Sequence, residues 1–230
     1  MIINSYTYNL PYAEDAKIWL KMDPGFRDYQ SGTLKVQNWY NAADYSDVYT
    51  NSNVNRRPTD DGVKYNFDGG DWLESGNNHT FDTSATGWCM MARYTATDFN
   101  VSDAIIGNDD SNDTFIRHTS PDQLSVKAHN GSSASTKGIG TDSSLTNGQI
   151  YNVIISCTTG GNLNMFIDGT KQASSPSFPN NGYDLILDQA GGKNGNALVL
   201  TGSMQELVMF NRYLTDQECI DVNAYLANKF

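Results

Sequence analysis

Hydrophobic positions along this chain come in short runs separated by Gly-, Asn- and Asp-rich segments. Ile18-Trp19-Leu20 is one such run, broken by Asp23-Pro24-Gly25; Val36 to Tyr40 is a second. The polar stretch from Asn41 to Thr59 reads as a long surface loop. Val63-Lys64-Tyr65-Asn66-Phe67 alternates apolar and polar residues, the period of a half-buried strand. Asp68 to Asp71 then predicts a tight turn and Trp72-Leu73-Glu74 the next strand. Phe81 to Tyr94 predicts a strand through the centre of the molecule. Ala104 to Gly107, Thr114 to His118 and Gln123 to Ala128 predict a meander. Ile150 to Cys157 is the clearest buried strand, and Leu163 to Ile167 returns beside it. Asp168-Gly169 then predicts a tight hairpin, because a two-residue type I′ turn needs positive φ at both central positions. Tyr183 to Leu187, Ala197 to Leu200 and Met204 to Phe210 are the remaining strand candidates.

The period changes only at the end of the chain. Thr215 and Glu218 form a T-x-x-E capping box, in which each side chain serves an orphan N–H of the first turn. Asp216 adds negative charge at the positive end of the helix dipole. Cys219, Val222, Leu226 and Phe230 recur at helical spacing on one face. Many short strands with frequent turn signals, one helix and no linker or repeat predict a two-sheet sandwich, with residues 1–230 as a single domain.

Composition narrows the function. The net charge is −11, from 15 Lys and Arg against 26 Asp and Glu. A surface of that sign argues against nucleic acid and anionic membranes as partners, and it leaves carboxylates for cations. Most of them are expected to be plain solvated surface. Cys89, Cys157 and Cys219 each sit in an apolar setting, which predicts buried free thiols rather than a disulfide scaffold or zinc site. The opening residues lack a basic segment followed by an unbroken apolar one, so no signal peptide is visible. No stretch approaches the roughly 18 apolar residues of a membrane helix, so no membrane insertion is expected.

Catalytic patterns are weak. A glycosidase strand with acids at alternate positions is missing. Asp184 and Asp188 come nearest; as strand residues they would share a face about 13 Å apart, too far for a retaining pair. There is no G-x-S-x-G or H-E-x-x-H, and His79, His118 and His129 are scattered, so surface positions are expected for them. Calcium, which takes loop oxygens, is the more serious possibility. Asp109, Asp110 and Asp113 form the densest acidic loop, although Thr114 and Ser120 stand where an EF-hand has Gly and Glu. Asp68 with Asp71 is a second candidate; turn-forming Asp and Asn are the plainer reading of both. Sugar binding needs exposed aromatics and planar polar groups. Trp72, Tyr45, Tyr49 and Asn53 are the candidate ligand contacts, with Tyr40, Asn51 and Asn55 nearby. Trp19, Trp39 and Trp88 belong to strand patterns and are expected in the core, and Arg212 is expected to brace the turn before the helix.

Four segments, in order, carry a family resemblance. They are Ile18-Trp19-Leu20 with Asp23-Pro24 and Val36 to Trp39; the F-D-G-x-D-x-L run Phe67 to Leu73; Leu163 to Lys171 with its Asp-Gly hairpin; and Gly202 to Phe230. The last reads G-x-x-x-E, apolar strand, N-R-x-L-T-x-x-E. Together they resemble the laminin-G-like domains of the concanavalin A-like lectin and glucanase superfamily. The resemblance implies an all-β fold, a two-sheet antiparallel β-sandwich jelly roll with one C-terminal α-helix. It also implies a non-enzymatic binding or adhesion module, and members that bind calcium do so with rim-loop acids and carbonyls. Bacterial domains of this type are usually parts of longer exported proteins. A chain opening on its own Met without a leader is expected instead on the virion surface of a phage, as a head decoration or tail/fibre protein. Its partners would be other virion proteins and cell-surface glycans. The alternatives are a decoration protein that only stabilises the capsid and, disfavoured by the missing acid pair, a polysaccharide hydrolase or lyase. Export to the extracellular space without a visible signal is the alternative location.

Overall fold

A computed structural model describes residues 9–109, 113–179, 182–194 and 197–230. In chain order the strands are β1 (Ala16–Lys21), β2 (Arg27–Tyr29), β3 (Val36–Tyr40), β4 (Val48–Thr50), β5 (Thr59–Asp60), β6 (Tyr65–Asp68), β7 (Leu73–Phe81), β8 (Trp88–Ala96) and β9 (Asp103–Gly107). They continue with β10 (Phe115–Ser120), β11 (Gln123–His129), β12 (Ala134–Gly140), β13 (Tyr151–Cys157), β14 (Leu163–Ile167), β15 (Thr170–Lys171), β16 (Leu185–Ala190) and β17 (Thr201–Phe210), before α1 (Asp216–Lys229). An eight-stranded sheet runs β15-β14-β13-β8-β17-β6-β5, with β1 also pairing β17; a nine-stranded sheet runs β12-β11-β10-β9-β16-β7-β4-β3-β2. All the strand pairs are antiparallel.

The two sheets differ in how they are covered, and the sequence pattern follows. In the eight-stranded sheet Trp88, Met90, Ala92 and Tyr94 face the main core, while Cys89 and Met91 face a second core beneath α1. Ile154, Phe166, Val208 and Phe210 join that second core with Val222 and Leu226 of the helix. A strand buried on both faces reads as a continuous apolar run, which is why β8 and β13 stand out in the sequence. The nine-stranded sheet buries its inner face throughout and its outer face only in part, around Gly107, Phe115 and Gln189. In its β11, Leu124, Val126 and Ala128 enter the core while Gln123 and Lys127 point away.

Several expectations are corrected. The single strand expected from Phe81 to Tyr94 is two strands. Between them the Asp82 carboxylate accepts from the Ser84 and Ala85 amides and turns the chain. Gly87 completes that turn at φ +66, where a Cβ would lie 2.3 Å from the Cys157 carbonyl oxygen. Ala197 to Leu200 is not a strand; Ala197 makes only an isolated bridge to Lys193. The loop expected from Asn41 to Thr59 contains β4. The Ser- and Gly-rich β12 is an edge strand with little to bury, so no apolar pattern announces it. Phe230 is exposed rather than on the buried face of α1, where Tyr225 lies instead. Among the described residues no helix is long and apolar enough to cross a membrane.

Candidate functional site

Register decides which side chains share the open face of the nine-stranded sheet. Asp28 pairs with Asn38, Asn38 with Thr50, Thr50 with Glu74 and Glu74 with Gln189. Gln189 pairs with Gly107, Gly107 with Phe115, Phe115 with Lys127 and Lys127 with Thr136. Paired residues project to the same side, so these positions form one row with a member from every strand. Their neighbours Trp39, Tyr49, Leu73, Ala190, Ile106, Ile116 and Val126 belong to the core. The row therefore lies on the outer face.

At one end of the row is an aromatic platform. Tyr40 alternates with the core residue Trp39 and so lies on the outer face. Tyr45, from the loop between β3 and β4, stacks on it with ring centroids 4.6 Å apart and planes 3° from parallel. Phe26 meets the Tyr45 ring edge-on at 5.7 Å. The Tyr40 hydroxyl donates to Asp28 Oδ2 at 2.5 Å, a bond that raises its pKa above the usual value. The Tyr45 hydroxyl donates to the Gly25 carbonyl at 3.1 Å. Tyr45 is nonetheless 57% exposed, which for a large aromatic ring calls for a reason.

The loop carrying Tyr45 is held from below. The Asn41 side chain accepts from the Trp19 and Ala43 amides and donates to the Lys17 carbonyl and to Asp47 Oδ2. Burial alone would raise the Asp47 carboxyl. Hydrogen bonds from His79, Ser75, Asn41 and Asn77 outweigh it and hold the group well below the usual range. A buried carboxylate so fully satisfied fixes the loop geometry rather than offering a reactive group.

The middle of the row is acidic but occupied by internal bonds. Glu74 Oε2 accepts from Trp72 Nε1 at 3.4 Å and from Gln189 Nε2 at 3.2 Å. Asp188 sits at the register shift between Leu187 and Gln189, and accepts from Asn108 Nδ2 at 3.1 Å and the Asp109 amide at 3.2 Å. Burial first, then the charges of Asp109 and Glu74, pushes its carboxyl up to about 8. Beyond it the row is roofed: a Cβ on Gly107 would lie 2.5 Å from Lys193 Cβ, so the segment after β16 packs directly on the sheet. Lys193 and Lys127 both pair with Asp113 above the Phe115 ring.

The expected site residues separate. Tyr45 stands on the platform. Tyr49 does not: it is fully buried, paired with Trp39 and Ser75 and stacked near His79, so the exposure expected of it is corrected. Trp72 is largely buried, with the Arg56 guanidinium 4.7 Å over its ring. Asn53 is exposed, and its side chain accepts from the Asn55 amide to cap a single turn. Trp72 and Asn53 lie beyond the Thr50 end of β4, and Tyr45 beyond its Val48 end, so they make no common cluster. Asp28 and Asn38 were missed. The alternation through Val36 to Tyr40 was the signal: once Trp39 is inside, Asn38 and Tyr40 are outside.

For calcium, Asp113 is already neutralised by two lysines, Asp109 is exposed beside Asp188, and Asp110 lies outside the described residues. Among the described residues no group of three or more acidic, His or Cys side chains could hold a metal ion. In the second candidate, Asp71 is buried and accepts from the Asp68 amide, and the Asp68 carboxylate accepts from Gly70. His79 and His118 are buried, contrary to the surface positions expected. The shift at Asp188 also breaks the alternation that would have aligned it with Asp184, which instead accepts from the Thr83 amide. Arg212 braces the turn as expected, donating to Asp15 and Glu218.

A laminin-G family profile, described as the concanavalin A-like lectin/glucanases superfamily, matches residues 67–219. The chain belongs to this superfamily, and its two antiparallel sheets with a C-terminal helix are the corresponding lectin-like fold. No curated protein matches the sequence. Among solved structures it is similar to the binding domain of Paraclostridial Mosquitocidal Protein 1, with TM-score 0.64, 11% identity and coverage of 94% of this chain and 53% of that one. It is also similar to the Trypanosoma rangeli sialidase in complex with sialic acid, with TM-score 0.60, 13% identity and coverage of 96% and 34%. The chain thus spans about half of the first and about a third of the second. At these identities the likeness is one of fold.

Proposed function

We propose that this chain is a glycan-binding module without catalytic activity, and that the glycan lies along the outer face of the nine-stranded sheet. The observation that carries the reading is the exposed Tyr45–Tyr40 stack aligned with Asp28 and Asn38. A pyranose offers an apolar C–H face and a rim of hydroxyls. A flat aromatic beside a carboxylate and an amide matches both. The superfamily and the binding-domain neighbour agree with such a role.

A hydrolase is the second reading, because Asp188 holds a raised pKa near Glu74 in a superfamily that includes glucanases. Geometry opposes it. Asp188 is 4% exposed with both oxygens engaged, and Glu74 is bound by Trp72 and Gln189. The buried Asp188 is not presented to a glycosidic oxygen, which leaves Glu74 without a second acid.

The test is retention on a polysaccharide panel, with and without EDTA. Tyr45→Ala should weaken binding about tenfold, the loss of one aromatic contact, with no change in thermal midpoint. EDTA should leave binding unaltered, and no reducing ends should be released. Binding to no glycan would sink the module and favour the capsid-decoration alternative. Reducing-end release abolished by Asp188→Asn would establish the hydrolase. The virion surface, with other virion proteins as partners, is proposed as its setting, since an acidic surface suits a soluble particle. Copurification with a native phage particle tests this, and absence from every particle fraction would remove it.

A further inference from the structure

The dipeptide Asn-Gly occurs four times in the chain, starting at Asn130, Asn147, Asn181 and Asn194. Asn181 and Gly195 lie outside the described residues. At the other two places the same dipeptide stands in opposite settings. An asparagine is open to attack from within when the backbone nitrogen of the next residue can reach its side-chain carbon. Glycine, with no side chain, hinders that approach least.

Asn130 opens the hairpin between β11 and β12, and Gly131 follows at φ +85. The Asn130 Oδ1 accepts from the Ser132 amide at 3.1 Å and the Ser133 amide at 2.8 Å. It also accepts from the Ser132 hydroxyl at 3.0 Å and the Ser133 hydroxyl at 3.3 Å. Four donors on one carbonyl oxygen would stabilise the oxyanion that forms when its carbon is attacked. The Gly131 N–H donates to His129 Nδ1 at 2.9 Å, so the attacking nitrogen already faces a base. Paired backbone bonds with Asp184, at 3.0 and 2.9 Å, hold His129 in place. The Asn130 Nδ2, the leaving nitrogen, has no hydrogen bond among the described residues.

Asn147 is the reverse. The Gly148 N–H donates to the Ala96 carbonyl at 2.9 Å, and an amide oxygen is no base. The Asn147 Nδ2 is tied to Asp98 at 3.1 Å, and its Oδ1 accepts from the Phe99 amide at 2.8 Å.

We infer that Asn130 is a site of self-modification, converted to Asp and isoaspartate through a cyclic imide with His129 as the base. His129 takes the Gly131 proton, and the Gly131 nitrogen bonds to Asn130 Cγ. The Cγ–Nδ2 bond breaks, and Nδ2 leaves as ammonia with that proton. One water then opens the ring at either carbonyl. One opening gives Asp at position 130, whose carboxylate keeps the Ser132 and Ser133 donors and adds a charge to the hairpin tip. The other gives isoaspartate, which lengthens the backbone of the turn by one carbon and disturbs the register of β12 on β11. These strands lie at the opposite edge of the nine-stranded sheet from β2 and β3, so the site is independent of the Tyr45 platform.

Peptide mapping by mass spectrometry, after incubation of the full chain at neutral pH, tests this. The peptide holding Asn130 should accumulate the acid, with isoaspartate resolved from Asp by chromatography, while the peptide holding Asn147 stays an amide. In denaturant both should convert at similar rates, because the settings that separate them are gone. His129→Phe should slow conversion at Asn130 about tenfold, less than the roughly 100-fold or more of a base in a closed site. Ser132→Ala, which removes one hydroxyl donor and keeps the amide, should slow it about fivefold, the worth of one hydrogen bond. Thermal unfolding confirms that each variant is folded. Equal conversion at Asn130 and Asn147 in the folded chain, an Asn130 that converts only in denaturant, or an unchanged rate in folded His129→Phe would overturn the inference.

Discussion

His118 is fully buried, with Phe99 edge-on at 5.0 Å and Tyr94 nearly parallel at 6.1 Å. Asp103 lies 4.0 Å away, and its own carboxyl is raised by burial. Burial lowers the His118 imidazole from 6.5 to about 4. The unfolded chain then binds the extra proton first. Stability conferred by the neutral ring is present above 6.5 and is lost as pH falls toward 4, by about 3 kcal/mol if the whole shift is expressed. Denaturant unfolding at pH 7 and pH 4 checks this. His118→Leu should lose the larger part of the difference, and an unchanged pH slope in that variant would remove His118 as its source. Residues of this kind show where reading a sequence stops. Tyr45 and Tyr49 sit in the same polar, Asn-rich stretch, and hydropathy treats them alike. Only the pairing of Val48–Thr50 with its neighbours sends one ring into the core and leaves the other in solvent.

Among the elements, α1 was the most legible, because its start is fixed locally: Thr215 accepts from the Glu218 amide and Glu218 bonds back to the Thr215 amide. What the helix buries was less so. Tyr225 turns inward because its hydroxyl donates to Glu206, a fully buried carboxylate on β17 that also accepts from Trp19 Nε1 at 2.7 Å and Lys229 Nζ at 2.7 Å. Those partners come from β1 and α1, at opposite ends of the chain, so no local pattern brings them to Glu206. Removing Glu206 takes the acceptor from Tyr225 and Trp19 and the nearer carboxylate from the half-buried Lys229, which keeps Asp23 at 3.7 Å. Glu206→Ala is expected to cost roughly 3–5 kcal/mol, measured by denaturant unfolding, and Glu206→Gln clearly less. Equal stability of the alanine variant would show that apolar packing alone seats the helix. The strands divide the same way. β8 and β13, apolar on both faces, are visible in the sequence; β2, β4 and β12, polar and marginal, are held by neighbours in the sheet.

At the scale of the whole molecule the sandwich is lopsided. α1 covers the outer face of one sheet, while the other sheet leaves its outer face open around β2 and β3 and is roofed by the segment after β16 over Gly107. Deleting α1 by truncation after Leu214 would expose Met91, Ile154, Phe166, Val208 and Phe210 together. A patch of that size on an antiparallel sheet is an association surface, so the truncated chain is expected to aggregate on size-exclusion chromatography. A soluble monomer would mean that the helix is dispensable. The same asymmetry marks what each level of description decides. Alternation, turn residues, the capping box and the order of motifs determined the strands, the helix and the superfamily, because those signals act over a few neighbours. The tertiary structure alone decided which residues make up the proposed binding face. Asp28, Asn38, Tyr40 and Tyr45 meet through strand register and a loop anchored on buried Asp47. Such contacts depend on pairings between distant parts of the chain, which composition and periodicity do not encode.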